Sequence, residues 1–87
     1  MKLEEIIGTN VRGFRENLGL SQEKFALQAG LHRTFIGTVE RAEQNLSIAS
    51  IRKLADALKV DAYVLLIEGA YKNAKKVQRI YKETTSK

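Results

Sequence analysis

The sequence predicts an all-α protein folded as one compact bundle of five helices. Three observations support this prediction: apolar residues recur at helical spacing along the chain, proline is absent, and helix-start signals follow one another after very short turns. The length of 87 residues allows one domain. A chain of this size buries only about 60% of the surface that its unfolded state exposes, so a partner subunit would stabilise it.

The first helix is expected from about Leu3 to Leu18. Glu4 and Glu5 suit the positive end of its dipole, and Gly19 is placed to take the left-handed backbone that follows a helix end. Its apolar stripe consists of Leu3, Ile6, Ile7, Val11, Phe14 and Leu18.

Each of the next four helix starts has a capping residue between two apolar residues that can pack together across the cap. The caps are Ser21, His32, Ser47 and Asp61, of which His32 is the weakest. The helices that they predict cover residues 22–29, 33–40, 48–58 and 62–68. Because the connections are too short to be linkers, all five helices belong to one domain.

The second and third helices meet at Gly30, the residue type best able to take the left-handed backbone of a helix–helix turn. Ala26 lies four residues earlier and is small enough for another helix to cross closely. Two short helices joined in this way are typical of a helix-turn-helix, in which the second helix enters the major groove of DNA.

The third helix has two contrasting sides at about 100° per residue. Phe35, Ile36 and Val39 cover one side, whereas the opposite side carries Thr34, Gly37, Thr38 and Arg41. A merely solvated helix would favour glutamate, lysine, alanine and glutamine there. Short hydroxyls and a glycine allow close approach to a surface, and arginine can reach a guanine edge or a phosphate. An ordinary exposed face that tolerates small residues is the alternative.

The net charge of +5 does not by itself indicate that the bundle binds DNA. Nine basic and nine acidic residues cancel through Gly69, so residues 70–87 supply the whole excess. This basic extension has two interpretations. It forms a sixth helix to about Tyr81, which packs on a partner subunit or adds affinity for DNA, or it is a solvated, fraying terminus.

Residues 62–67 are apolar all round, although an amphipathic helix needs one stripe for its own core. The apolar residues outside that stripe favour a contact with a second subunit. The predicted dimer interface consists of Tyr63, Val64, Leu66 and Ile67.

The composition also excludes several classes of protein. Without cysteine the chain has no disulfide framework, thiolate zinc site or cysteine nucleophile, and one histidine cannot make a metal cluster. No carboxylate pair, nucleophile–base set or phosphate-binding glycine loop appears, so we expect neither an enzyme nor a cofactor. With no secretion signal and no long apolar run, we expect a cytoplasmic protein without membrane contact.

Residues 5–69 resemble the Xre/Cro/cI-type helix-turn-helix regulators of bacteria and phages. The strings that carry the resemblance are LGLSQEKFALQAGL at 18–31 and VERAEQNLSIASIRKLADALKV at 39–60. LHRTFIGTVER followed by NLSI is most similar to the controller proteins of restriction–modification systems. The resemblance implies a nucleoid-associated homodimer that binds a palindromic operator and times expression of its own gene and the endonuclease gene.

The resemblance also implies roles for individual residues. The residues expected to read bases are Arg33, Thr34, Gly37 and Thr38. Those expected to contact the DNA backbone are Ser21, Gln22, His32, Phe35, Arg41, Asn45 and Ser47. Arg15 and Glu40 are expected to form a structural ion pair. The chain departs from the family at Phe35, where controllers commonly have tyrosine, at Ala42, where glycine is common, and at Leu46, where proline is frequent.

The expected organisation is a DNA-binding domain over residues 1–69 and a basic extension over residues 70–87. The extension also motivates an alternative function from another class. In that alternative, the chain is an antitoxin-type autoregulator whose extension binds a protein partner.

Overall fold

A computed structural model describes residues 1–85, with side chains through Tyr81, and it confirms the all-α bundle. The described residues form five α-helices: α1 Leu3–Asn17, α2 Gln22–Ala29, α3 Arg33–Glu40, α4 Ile48–Leu58 and α5 Ala74–Thr85. Two 3-10 helices, Ala62–Leu66 and Ala70–Asn73, connect α4 to α5. No helix among the described residues is both long and apolar enough to cross a membrane.

Side-chain caps fix the starts of α2, α3 and α4 at the predicted positions. The hydroxyls of Ser21 and Ser47 each accept a hydrogen bond of 3.0 Å from the backbone of their first helical turns. His32 Nδ1 accepts a bond of 3.1 Å from the amide of Thr34. Gly19 and Gly30 have φ values of 71° and 69°, which is the left-handed conformation expected after α1 and α2.

The α-helix predicted over residues 62–68 is wrong, because the chain there forms a 3-10 helix that ends at Leu66. Asp61 stands at its N-cap without making a side-chain cap bond. The side-chain nitrogen of the buried Asn10 donates to the backbone carbonyls of Leu65 at 3.0 Å and Ile67 at 2.8 Å. Two carbonyls that converge on one amide cannot both point along a helix axis, so the chain turns extended at Ile67.

The core collects one side of every α-helix around α1. The largest fully buried apolar side chains are Val11, Phe14, Phe25, Ile36, Val39, Leu54, Leu58, Val60 and Leu65. The predicted stripe of α1 is buried at Ile7, Val11 and Phe14, whereas Leu3 at its start is 53% exposed. The bundle therefore holds α3 by its apolar side, and the opposite side of α3 faces outward.

The segment after Gly69 packs against α1 as far as its side chains are described. The backbone amide of Tyr71 donates to the side-chain oxygen of Asn10 at 3.0 Å. The side chain of Gln78 is buried and donates to the carbonyls of Phe14 at 3.1 Å and Leu58 at 2.7 Å. Of the two interpretations of the extension, a solvated terminus is wrong for residues 70–81, and the additional helix starts at Ala74.

The α3 helix and the C-terminal segment contact opposite sides of α1. On one side Gly8 approaches α3 so closely that a Cβ there would lie 2.6 Å from the carbonyl oxygen of Val39. On the other side Gly13 lies under the ring of Tyr71, and Asn17 donates to Gln78 at 2.6 Å. Gly8 and Asn17 are about 180° apart on a helix of about 100° per residue. The C-terminal segment is thus separated from α3 by α1.

Candidate nucleic-acid interface

The α3 helix presents a polar surface because its apolar side is fixed inside the bundle. Ile36 and Val39 are 0% and 2% exposed, and Phe35 is half-buried against the same core. Arg33 and Thr34 at the start of the helix are exposed, as is Arg41 just after its end. These three side chains therefore lie on a surface that an external ligand can reach.

Two of the predicted base-reading residues are less accessible than the helical spacing indicates. Gly37 is buried rather than free, because a Cβ at this position would lie 3.1 Å from the Nη1 atom of Arg41 and 3.8 Å from the Oε1 atom of Gln22. Thr38 is half-buried, and its hydroxyl donates to the carbonyl of Phe35 at 2.8 Å. The absence of a side chain at Gly37 makes room for the guanidinium of Arg41. The hydroxyl of Thr38 is already hydrogen-bonded to the backbone of α3.

A shallow cleft between α2 and α3 collects the polar side chains of this surface. It is lined by Gln22, Glu23, Arg33, Thr34, Gly37 and Arg41. Two guanidinium groups and a side-chain amide provide several hydrogen-bond donors, and the threonine provides a hydroxyl. Donors of this kind, presented by the start of one helix and one face of the next, suit phosphate oxygens and base edges.

A buried ion pair joins α1 to the end of α3. Arg15 on α1 donates to the two carboxylate oxygens of Glu40 at 2.6 and 2.9 Å, and its third donor reaches the carbonyl of Leu20 at 2.9 Å. The two side chains are only 11% and 5% exposed. The hydrogen bonds to Glu40 raise the pKa of Arg15 above its ordinary value and outweigh the opposing effect of burial. The pair expected from the resemblance is thus present, with both charges satisfied inside the protein.

Gln22 extends this buried pair to the surface. Its side-chain nitrogen donates to a carboxylate oxygen of Glu40 at 3.1 Å, so α2 is tied to the end of α3. A carboxylate that already accepts from Arg15 and Gln22 is compensated, and its charge opposes an approaching polyanion less than a free carboxylate would.

Two further ion pairs at the cleft are exposed. Arg33 Nη1 lies 3.1 Å from a carboxylate oxygen of Glu23, and Arg41 Nε lies 3.2 Å from one of Glu43. The four side chains are between 56% and 74% exposed. Pairs of this kind contribute about 0–1 kcal/mol, so either arginine can exchange its glutamate for an external acceptor at little cost.

The remaining residues predicted to contact the DNA backbone do not line the cleft. Ser21, His32 and Ser47 use their side chains as helix caps. Asn45 is exposed and borders a separate depression beside Leu46.

The departure from the family at Ala42 has a visible consequence. Ala42 follows α3 with a φ of 62°, a left-handed conformation that suits glycine better than alanine. The preference for glycine at this position of the family follows from that backbone. The left-handed backbone costs about 1–2 kcal/mol at an alanine.

The predicted subunit contacts form a second surface away from the cleft. Tyr63, Leu66 and Ile67 are 64%, 42% and 50% exposed, and Val64 is half-buried against the core. Next to them, Ile80 on α5 is 46% exposed. A groove runs between the first 3-10 helix and α5, lined by Val60, Asp61, Tyr63, Val64, Val77, Ile80 and Tyr81.

Three residues that position these elements carry little signal in the sequence. Glu23 reads as an ordinary acidic residue in a first helical turn, and its partner Arg33 lies ten residues away across the turn. Asn10 and Gln78 stand in otherwise amphipathic helices, where polar residues usually face water. The one available signal is that each falls on the helical side occupied by apolar neighbours.

Comparison with known proteins adds to this geometry. Residues 11–65 match the model of the Helix-turn-helix family. The chain is 44% identical to the control protein C.SmaI of Serratia marcescens over 73 residues, which are 84% of this chain and 87% of that protein. It is 40% identical to the control protein C.BamHI of Bacillus amyloliquefaciens over 62 residues, which are 70% of this chain and 76% of that protein.

Solved structures give the same result. The crystal structure of a hypothetical transcription factor from Neisseria superposes with a TM-score of 0.76 at 42% identity, and the match covers 82% of each chain. The restriction-modification controller protein C.AhdI from Aeromonas hydrophila superposes with a TM-score of 0.69 at 40% identity, over 71% of this chain and 94% of that one. Both structures match this chain in sequence as well as in fold.

Proposed function

The chain belongs to the helix-turn-helix family of transcription regulators, and from this premise we propose that it is the controller protein of a restriction–modification system. In this proposal it binds a palindromic operator as a homodimer. The observation that carries the proposal is the cleft between α2 and α3, where exposed arginines stand beside a recognition helix whose apolar side is locked in the core. Similarity to two control proteins and to C.AhdI supports the choice among regulators.

In the proposed complex, Arg33 and Thr34 read base edges in the major groove because they are the exposed residues at the start of α3. Thr38 lies one turn further along the same helix. Gly37 acts indirectly, because it leaves room for Arg41 to lie across α3 and reach the phosphates. The remaining contacts to the DNA backbone are assigned to Ser21, Gln22, His32, Phe35, Asn45 and Ser47.

The homodimer is assigned to the exposed apolar residues of the first 3-10 helix and the residue that follows it. Tyr63, Leu66 and Ile67 expose large apolar side chains next to one another, which is costly in water unless a partner covers them. Sedimentation of the intact protein at micromolar concentration should show a dimer. Ile67→Glu should shift it to monomer, whereas Ile48→Glu, at a 77% exposed apolar residue elsewhere, should leave the dimer intact. A monomeric wild-type protein would contradict this part of the proposal.

The function is tested by selecting bound duplexes from a random pool at a stated salt concentration. We expect one enriched sequence with two-fold symmetry and half-sites about 10 bp apart, or a multiple of that spacing. The affinity should fall steeply with salt, with a slope of about −0.9 for each phosphate neutralised. A pool that yields no enriched sequence would overturn the proposal.

Substitutions then separate reading from anchoring. Arg33→Ala should cost about 1–3 kcal/mol and relax the preference at one base position, whereas Arg41→Ala should weaken all duplexes more evenly. The matched control is Arg12→Ala, because Arg12 is also an exposed arginine in an ion pair, with Glu16, but lies on α1. If Arg33→Ala left the affinity for the selected duplex and its base preference intact, the assignment of α3 as the reading helix would be wrong.

A further inference from the structure

The arginine at the start of α3 is held by a carboxylate from the other helix of the cleft. Arg33 Nη1 donates to Glu23 Oε2 at 3.1 Å, so the pair bridges α2 and α3. Both side chains line the cleft that the proposed function turns toward DNA. A negative charge at this position repels phosphates, so it opposes binding by charge alone and requires an explanation.

The stability of α2 accounts for only a small part of it. Ser21 already caps the helix by accepting from the amide of Lys24 at 3.0 Å. The side chains of Arg33 and Glu23 are 68% and 74% exposed, and exposed pairs add little to stability. Glutamine has nearly the same helix propensity as glutamate, and the charge of Glu23 in the first turn adds only about 0.3–1 kcal/mol through the helix dipole at low salt. The same charge also acts on whatever enters the cleft.

The geometry of the pair leaves the reading edge of the arginine open. Glu23 accepts a hydrogen bond from Nη1 of Arg33. It does not contact the two donors on the other edge of the guanidinium, Nε and Nη2, which together form a fork. The same Nε–Nη2 fork of Arg15 holds both carboxylate oxygens of Glu40. At the other exposed pair, Glu43 takes the Nε group of Arg41 and so occupies part of the fork. Of the two arginines of the cleft, Arg33 is thus the one whose glutamate leaves its fork available to a guanine edge.

We propose, on the premise of the DNA-binding function above, that Glu23 is a specificity-determining residue that keeps Arg33 from pairing with phosphates. Phosphates attract any guanidinium and carry no sequence information. A carboxylate 3.1 Å from the guanidinium repels a phosphate at that place, whereas the O6 and N7 acceptors of guanine are uncharged and are repelled far less. Glu23 thereby weakens binding to arbitrary duplexes more than binding to the operator.

The test compares Glu23→Gln with the wild-type protein on two labelled duplexes, the one selected from the random pool and one of scrambled sequence, by fluorescence anisotropy at one salt concentration. Glutamine keeps the size of the side chain and removes its charge. The affinity for the scrambled duplex should rise about three- to tenfold, a change on the scale of one charge interaction at the cleft, while the affinity for the selected duplex rises less than about twofold. The ratio of the two affinities falls accordingly.

The matched control is Glu16→Gln, which changes the charge equally and breaks an exposed pair of similar length, 3.3 Å to Arg12, on α1. It should move both affinities together and leave their ratio unchanged. Thermal unfolding of each variant verifies that the fold is intact, and both midpoints should stay near that of the wild type because both pairs are exposed.

The possible results distinguish a failure of the DNA-reading function from a failure of the role of Glu23. A wild-type protein without preference for any duplex would contradict the DNA-reading function and the role of Glu23 with it. A wild-type protein that prefers its operator, combined with a Glu23→Gln ratio equal to that of Glu16→Gln, would overturn the role of Glu23 alone. A loss of operator affinity with a changed preference at one base would also overturn it, because Glu23 would then accept a hydrogen bond from a base such as cytosine.

Discussion

The two sides of α1 hold their partners by different chemistry. The side that faces α3 combines a close backbone approach at Gly8 with a charged, bidentate pair between Arg15 and Glu40. The side that faces the C-terminal segment uses the neutral amides of Asn10 and Gln78, each of which makes three hydrogen bonds to the chain around it. One side fixes a helix whose outer surface is the candidate site, and the other closes the bundle.

This difference has a physical reason. A charged pair is strong and directional, and the carboxylate of Glu40 also accepts a hydrogen bond from Gln22, so one carboxylate ties α1, α2 and α3 together. On the other side, the amides of Asn10 and Gln78 donate to backbone carbonyls of Leu65, Ile67 and Leu58, and a neutral amide satisfies a buried carbonyl without burying a charge. The side that serves a ligand is therefore rigid and charged, and the side that completes the core is neutral.

The largest effect is expected from Glu40→Ala on the α3 side. Removal of the carboxylate leaves the charge of Arg15 largely buried without its main partner, which should lower the free energy of unfolding by about 3–5 kcal/mol. Urea denaturation followed by circular dichroism measures this loss. The double variant Arg15→Met, Glu40→Met should recover most of the stability, since no buried charge remains unpaired. A loss below about 1 kcal/mol in the single variant would show that the pair behaves as an exposed one.

Two glycine substitutions should act in opposite directions on the same side of α1. The Cβ of Gly8→Ala would lie 2.6 Å from the backbone oxygen of Val39, so α3 must shift, at a cost of about 1–3 kcal/mol. The atom closest to the Cβ of Gly37→Ala is at the movable end of Arg41, at 3.1 Å, and Gln22 at 3.8 Å is in ordinary contact, so stability should rise by up to about 1 kcal/mol from helix propensity.

The same two variants also test the role of Arg41. Gly37→Ala should bind DNA more weakly despite its higher stability, because Arg41 is displaced. Denaturation combined with duplex titration measures both quantities. Equal effects of the two alanines on stability would contradict the different packing described for Gly8 and Gly37.

On the opposite side, Gln78→Leu should lower the free energy of unfolding by about 1–2 kcal/mol, because the carbonyl of Leu58 loses a buried donor. The loss is smaller than for Glu40→Ala, because no charge is left behind. Gln28→Leu, at an exposed glutamine on α2, is the control and should change stability little. Denaturation curves for the two variants give the comparison, and a neutral Gln78→Leu would mean that the C-terminal segment contributes little to the packed domain.

The smallest effect is expected from neutralising cations on the side away from α3. Lys72, Lys75 and Lys76 are exposed on the C-terminal segment, which α1 separates from α3. Replacing all three with glutamine should change the salt dependence of operator binding less than Arg41→Gln alone, which removes about one phosphate contact. Titrations at several salt concentrations give both slopes. A loss of three contacts in the triple variant would place the C-terminal segment on the DNA.

Local signals in the sequence were sufficient for most of the fold. Caps such as Ser21 and Ser47, and the glycine at the turn, determine helix ends within a few residues, and the spacing of Ile36 and Val39 identifies the buried side of α3. The ion pair of Arg15 with Glu40 came from the resemblance, because nothing local joins residues 25 positions apart.

Long-range hydrogen bonds account for the structural features that local sequence signals do not predict. An α-helix is predicted over residues 62–68, but the chain forms a 3-10 helix there. That difference depends on Asn10, which lies 55 residues before Leu65. The packing of the C-terminal segment depends on Gln78, which reaches Phe14 across 64 residues. At the site, helical spacing alone places Gly37 on a free face, and only the position of the Arg41 guanidinium reveals that the glycine is covered.

The DNA-binding surface is tested most directly by NMR, with backbone amide shifts followed while the selected duplex is added to the intact protein. We expect the largest shifts at residues 33–41 and around Gln22, with small shifts at Lys75, Lys76 and Gln78 across α1. The same titration with a scrambled duplex should produce weaker shifts over the same surface. Shifts concentrated on the C-terminal segment, with α3 unperturbed, would contradict the assignment of the cleft between α2 and α3 as the DNA-binding surface.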